Sequence, residues 1–172
     1  MIAAADSDAT LLPADITLLS GAIAGKDPRA GVLAAIEQIA AARMQVTVFS
    51  ASVCFLDTLE LERVYSSLPG AYAVGARKSK RETSWARQVM QRRQVFVGEG
   101  PLEMAAAFDD QERMAKLGIR SIINVPFALR DDGLGVLAFG RPLERVSPAE
   151  ITLARLLGLA ASAGFALGPA NG

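Results

Sequence analysis

The 172-residue chain is written as an α+β domain built on an antiparallel sheet. Three observations lead there. Two pairs of strand-like runs are joined by links too short for a crossover, Asp57-Thr58 and Asp131-Asp132-Gly133, so each pair must close as a hairpin. The helical stretches lie outside and between those hairpins instead of alternating with single strands. No internal repeat and no Pro/Gly/Ser-rich linker divides the chain, and its length suits one domain able to bury roughly 70% of its unfolded surface.

The elements follow in order. Residues 1–12 are small and polar and read as frayed. Residues 13–24 form a short helix. Asp27-Pro28 supplies an N-cap acceptor with proline at the first helical position, and Val32, Leu33, Ile36, Ile39 and Ala40 continue at spacings of three and four to about Arg43. Residues 45–57 carry β-branched and aromatic side chains at both parities, the mark of a central strand covered on both faces. Residues 59–67 alternate, with Leu59, Leu61, Arg63 and Tyr65 sharing one face. Residues 67–80, with Pro69, Gly70 and Gly75, read as a long loop. Residues 83–93 form a helix capped by Thr83 or Ser84, and residues 94–97 a short strand. Residues 101–117 hold one or two short helices, closed by Gly118 as the residue past the last turn. Residues 119–130 and 134–140 are strands of the second hairpin. Ser147-Pro148-Ala149-Glu150 is a capping box with proline at N1, opening a helix to about Leu167.

Composition excludes several chemistries. There is no histidine and one cysteine, Cys54. A Ser-His-Asp triad, a Cys-His dyad, His-ligated zinc or haem, an internal disulfide and a CxxC redox pair are therefore impossible. Eighteen basic residues balance eighteen acidic ones, which argues against a generic polyanion binder. Mean hydropathy is +0.29, with 51% apolar residues, much of it alanine suited to close helix packing. Residues 1–10 lack the basic start and apolar run of a signal peptide. The most apolar stretch, residues 156–167, is shorter than a membrane span, so no membrane partner and a cytoplasmic setting are expected.

Residues 118–140, Gly-Ile-Arg-Ser-Ile-Ile-Asn-Val-Pro-Phe-Ala-Leu-Arg-Asp-Asp-Gly-Leu-Gly-Val-Leu-Ala-Phe-Gly, resemble the signature of the GAF domain, a relative of PAS. In it, a strand ending in Val-Pro leads through a hairpin to Gly-Val-Leu and an aromatic. Pro126 cannot donate to a ladder and marks a bulge or an unpaired edge position. Gly135 lets the returning strand pass close to a neighbour. Arg63-Val-Tyr-Ser-Ser67 with Pro69, Tyr72, Gly75 and Lys78 is similar to small stand-alone bacterial GAF proteins. So is the order Trp85, Phe96-Val97-Gly98-Glu99, Phe108-Asp109-Asp110. The resemblance implies a central six-stranded antiparallel sheet, terminal helices on one face, and a ligand pocket under loops and short helices on the other. It divides the chain into an N-terminal segment (1–27), one GAF-like domain (28–168) and a tail (169–172). The cyclic-nucleotide motif of that superfamily is not evident. The bilin type, with its Cys commonly followed by His, and the sulfoxide-reductase type, with its set of cysteines, lack their residues here.

Charge is unevenly placed. Arg77, Lys78, Lys80, Arg81, Arg87, Arg92 and Arg93 face one acid, Glu82, so residues 77–93 carry +6 and the rest −6. This run is either a solvated face or an anion-capture element in which arginine binds carboxylate or phosphate. A single interleaved aromatic, Trp85, speaks against nucleic acid. On the implied pocket side the expected ligand-binding set is Arg63, Tyr65, Tyr72, Arg77, Lys78, Arg81, Trp85, Phe108 and Asn124, with no catalytic or metal residues and no cofactor. Arg63 is a pocket cation or a strand-end charge. Phe96 and Phe108 serve as core or pocket wall. Ser121 and Asn124 have opposite parity, so only one can face a pocket, and Asn124 makes a structural hydrogen bond or touches ligand. Cys54 reads as a buried, inert thiol. Asp109-Asp110 read as a cap for the helix carrying Arg113 and Lys116. The last helix is apolar nearly all round. It is covered either by a second copy, as a homodimer through the terminal helices, or by residues 1–24 folding back.

Three functions remain. The first is a sensor or regulatory module that binds a small, anionic metabolite non-covalently and serves a partner protein. The second is an enzyme using Lys78 or Lys80, or the carboxylates from Glu99 to Asp110. The third is a structural dimerisation module without ligand.

Overall fold

The structure, a computed structural model, describes residues 9–168. The expected tail 169–172 and most of the stretch read as frayed lie outside the described residues. Within that stretch Ala9 is buried against the core, so the chain is packed from there on.

Helix α1 spans Pro13–Ile23 and α2 Pro28–Met44. Asp27 caps α2 by accepting from the Ala30 N–H at 3.0 Å, and Gln45 ends it in the left-handed region. Asp15 accepts from the Leu12 N–H (2.9 Å) and also receives Arg43 (2.9 and 3.3 Å), tying α1 to α2.

Strands β1 (Val48–Phe55) and β2 (Glu60–Ser66) form the first hairpin. Strands β5 (Ser121–Ala128) and β6 (Leu134–Arg141) form the second. Asp131 and Asp132 both have φ near +55°, the conformation a tight two-residue turn demands. Strand β4 (Phe96–Glu99) pairs with β5. Residues 77–79, read as loop, form a short edge strand, β3 (Arg77–Ser79), against β2. A lone alternating triplet cannot be told from loop, and only the facing edge of β2 turns it into strand. The six strands run antiparallel in the order β3-β2-β1-β6-β5-β4.

One face of the sheet carries α1, α2 and α5 (Pro148–Leu167) over a core that includes Val32, Ile36, Phe49, Ile123, Phe139 and Leu157. Ser147 and Glu150 form the expected capping box. Glu150 is also buried against Arg141, whose guanidinium donates to the Met44 and Arg145 carbonyls as well. Helix α5 is longer than the apolar stretch in the sequence suggested. At twenty residues and a mean hydropathy of 1.4 it meets the length and composition of a membrane span. One stripe of it, Leu153, Ala154, Leu157, Gly158, Ala161 and Gly164, is buried on the domain itself.

The other face carries a π-helical turn (Ala86–Gln91), α3 (Gly100–Ala107) and α4 (Gln111–Lys116). The expected α-helix over 83–93 is thus only partly α-helical. Thr83 caps it as expected, accepting from the Ala86 N–H (3.0 Å). The chain then widens so that the Arg92 N–H reaches the Arg87 carbonyl five residues back, turning Trp85, Ala86, Val89 and Met90 inward.

Pro126 pairs with Val136 in β5 but stands beyond the last β4 partner, Phe96 opposite Asn124, where no donor is required. Gly135 faces the Phe127 ring across the hairpin. A methyl there would lie 2.2 Å from the ring edge.

Candidate functional site

Between the sheet and the second layer lies a cavity of about 100 Å³. Its floor is the sheet: Val48, Ser50 and Ser52 from β1, Arg63 from β2, Asn124 from β5 and Val136 from β6. Its roof is the chain from Tyr72 to Trp85 together with Phe108, Asp110 and Met114 around α4.

Six of the nine residues expected to meet ligand line this space: Arg63, Tyr72, Lys78, Trp85, Phe108 and Asn124. Three do not. Tyr65 points to the helical face, packing on Phe49 (5.6 Å between ring centroids) and donating its hydroxyl to Glu37 (2.6 Å). The cause is a β-bulge. Ser52 pairs with Arg63 but Ala51 pairs with Tyr65, so one residue of β2 is extra and the parity reverses between Arg63 and Tyr65. Burial first, and then the Glu37 contact, push the Tyr65 hydroxyl pKa up to about 12. Arg77 sits on the outer edge strand, its guanidinium 3.8 Å from the Phe55 ring centre and near Glu60 and Glu62. Arg81 turns back to donate to the Thr58 carbonyl (2.9 Å). Both were placed by counting charge along a run that the edge strand then splits between the two sides of the sheet edge.

The cavity's polar groups divide into satisfied and unsatisfied ones. Trp85 Nε1 donates to Asn124 Oδ1 at 2.8 Å, both side chains buried. This fixes the indole as one wall. Ser121, of the opposite parity, is buried elsewhere and donates to the Leu143 carbonyl (2.6 Å). Lys78 is held by Asp109 and by Asp110 (3.5 Å). Asp110 makes no side-chain cap to α4, so the expected capping role passes to a charge contact. The Lys78 ammonium draws the Asp109 carboxyl below the usual carboxylate range.

Arg63 and Lys80 are different. Neither forms an ion pair among the described residues. The Arg63 guanidinium stacks 5.1 Å from the Tyr72 ring centre and donates once, to the Ala73 carbonyl at 3.3 Å. Its Nε is the only buried side-chain nitrogen or oxygen among the described residues with no hydrogen-bond partner. Lys80 is 5% exposed. Its ammonium lies 5.3 Å from the Trp85 ring centre and 5.1 Å from that of Phe108. Burial, and secondarily the nearby Lys78 charge, pull its pKa below the usual lysine range, against the opposing pull of Asp109 and Asp110. Burial likewise lowers Arg63, with Asp110 opposing, and raises the Tyr72 hydroxyl. In the sequence Lys80 is one charge of the basic run and, with Lys78, one of the two lysines an enzyme would use. Its burial follows from its place just after β3, under the π-helical turn.

Other titratable groups belong to the scaffold. Glu99 accepts from the Val146 N–H (2.6 Å) and from Arg145 (3.0 Å), which hold it below the usual carboxylate range. Burial pushes the Cys54 thiol up to about 12, as an inert core cysteine requires. Among the described residues no three carboxylate or thiol groups gather to hold a metal ion.

The arrangement of sheet, helical face and opposed cavity is shared with solved structures. The chain superimposes on the GAF domain of a phosphoenolpyruvate-protein phosphotransferase from Coxiella burnetii with a TM-score of 0.65, over 86% of this chain and 91% of that one, at 15% identity. The fold is that of a GAF domain. The GAF domain of a two-component sensor histidine kinase from Bacillus halodurans superimposes with a TM-score of 0.59 at 15% identity, covering 75% of this chain and 90% of that one. A phycoerythrobilin-bound GAF domain from a cyanobacterial phytochrome does so with 0.60 at 13% identity, covering 90% and 97%. No family model matches the sequence, and no curated protein matches it. At this identity the shared property is the GAF fold.

Proposed function

We propose that this chain is a sensory or regulatory GAF module whose cavity takes a small anion, with Arg63 and Lys80 as the anion's partners. The observation that carries the reading is the pair of cations facing one cavity without an ion pair, one of them with a buried Nε that bonds to nothing, while the carboxylate on the same wall, Asp110, is engaged by Lys78. A buried cation without a partner is a cost the fold does not need unless a ligand repays it. The structural neighbours, among them GAF domains of a sensor histidine kinase and a phytochrome and a segment of a methyl-accepting chemotaxis protein, support a regulatory setting. The volume limits the guest. A cavity of about 150 Å³ holds benzene, with six non-hydrogen atoms, so about 100 Å³ suits a ligand of roughly four to five, a short carboxylate or a phosphate.

A thermal-shift titration with acetate, propionate and inorganic phosphate, against chloride at equal ionic strength, tests this. At a hundred times Kd the bound state gains about 2.7 kcal/mol. The gain should vanish in Arg63→Met and shrink for benzoate, which overfills the space. An equal response in wild type and Arg63→Met would end the reading.

The homodimer belongs to the same proposal. Leu156, Leu159 and Leu167 of α5 and Ile16 of α1 are exposed, and Leu156, Leu159 and Ala163 continue at three- and four-residue spacing along one stripe. Native mass spectrometry should give a dimer that Leu159→Glu splits. A wild-type monomer at micromolar concentration contradicts it.

A further inference from the structure

The cavity holds an amine in the setting that makes lysine a nucleophile. Lys80 is almost fully buried, has no carboxylate partner, lies between two aromatic rings, and has the Lys78 charge for a neighbour. Desolvation and a nearby cation are the two devices that lower a lysine's pKa and raise the share of free amine. A lysine meant only to hold an anion gains nothing from either. Arg63, with its unpartnered Nε, lines the same space and cannot lose its proton. One cation is therefore permanent, and the other gives up its proton more readily than an exposed lysine does.

We propose that the Lys80 amine condenses reversibly with a small oxo-acid whose carboxylate is held by Arg63, giving an imine inside the cavity. The lone pair of the neutral amine attacks the carbonyl carbon, and the carbonyl oxygen takes up a proton to give a carbinolamine. The nitrogen loses a proton, the hydroxyl leaves as water, and a carbon–nitrogen double bond remains. No oxidation or reduction occurs. Asp110 lines the same cavity and is the carboxylate there that would carry these protons. A three-carbon 2-oxo-acid gives up its carbonyl oxygen as water when the imine forms, which leaves roughly five non-hydrogen atoms in the cavity. The inference rests on the anion-binding reading above and adds the covalent step, which makes capture selective for a carbonyl over an equally sized plain carboxylate.

The test uses the full chain with pyruvate and cyanoborohydride, which reduces an imine to a stable secondary amine, read by intact mass and peptide mapping. The chain has four lysines, of which Lys26 and Lys116 are exposed. The expected result is one carboxyethyl group per chain on Lys80, formed at least about tenfold faster than on Lys26 or Lys116. Excess propionate should suppress it and Lys80→Arg should abolish it. Labelling spread evenly over the lysines, or none at Lys80, overturns the proposal. The companion readout is the propionate thermal shift. If it persists while Lys80 stays unlabelled, the imine fails and anion binding stands; if both are absent, both fail. Because wild type supplies the rate comparison internally, the outcome does not depend on how the variant folds.

Discussion

Replacing Lys80 by Met should make the protein more stable and less responsive. Lys80 is 5% exposed, and its ammonium has no ion pair and lies 5.1 and 5.3 Å from two ring centres, with Asp109 and Asp110 adding a weaker attraction. Each ring contact contributes about 2 kcal/mol at a desolvated site, whereas holding an ion out of water costs several kcal/mol even after relaxation. Methionine fills nearly the same volume and removes the charge. The balance favours Lys80→Met by about 1–2 kcal/mol, or about 2–8 °C in Tm for a chain of this size. Urea denaturation and calorimetry in a buffer free of carboxylate and phosphate measure it. The pH dependence is a second signature. The folded lysine pKa lies below the unfolded one, so between the two values the unfolded chain binds the extra proton and wild-type stability rises with pH. Below the folded value the penalty is fully present. Lys80→Met should lack that rise. A variant less stable than wild type by 1 kcal/mol or more would mean that the fold already satisfies this ammonium, and the case for an awaited anion would collapse.

Further outcomes follow from the scaffold. Arg141→Met should destabilise by about 3–5 kcal/mol, because it leaves Glu150 buried without its cation; adding Glu150→Leu should recover part of the loss in urea titrations. Gly135→Ala should cost about 2–3 kcal/mol in the same assay, since its methyl would overlap the Phe127 ring at 2.2 Å, and Phe127→Leu should relieve it. Trp85→Phe should cost about 1–3 kcal/mol by stranding the Asn124 amide oxygen, while also weakening the propionate response. Asp15 is held below the usual carboxylate range first by its hydrogen bond to Arg43. Its contribution is present above the unfolded pKa and lost as pH falls through the folded one, so acid unfolding of Asp15→Asn should be shallower than that of wild type.

Local chemistry made most of the architecture readable. A proline after an N-cap acceptor, a capping box and an Asp-Asp-Gly turn each satisfy backbone groups within a few residues. Asp27, Ser147 and Asp131 therefore act in the structure as their neighbours in sequence require. The absence of histidine and the single buried cysteine likewise restrict the chemistry whatever the fold. What depended on partners distant in sequence was settled in three dimensions. The bulge in β2 is a mismatch with β1, invisible in either strand alone, and it moved Tyr65 to the opposite face from Arg63. The three residues of β3 became strand because β2 offered an edge, and that pairing sent Arg77 outward while Lys78 and Lys80 went to the cavity. Arg141, which no sequence signal singles out, is buried on Glu150 and on the end of α2. Burial of a charge is decided by what packs over it, and no composition or spacing records that. Of the +6 stretch that stands out in the sequence, tertiary packing left one ammonium, Lys80, inside the fold without an ion pair.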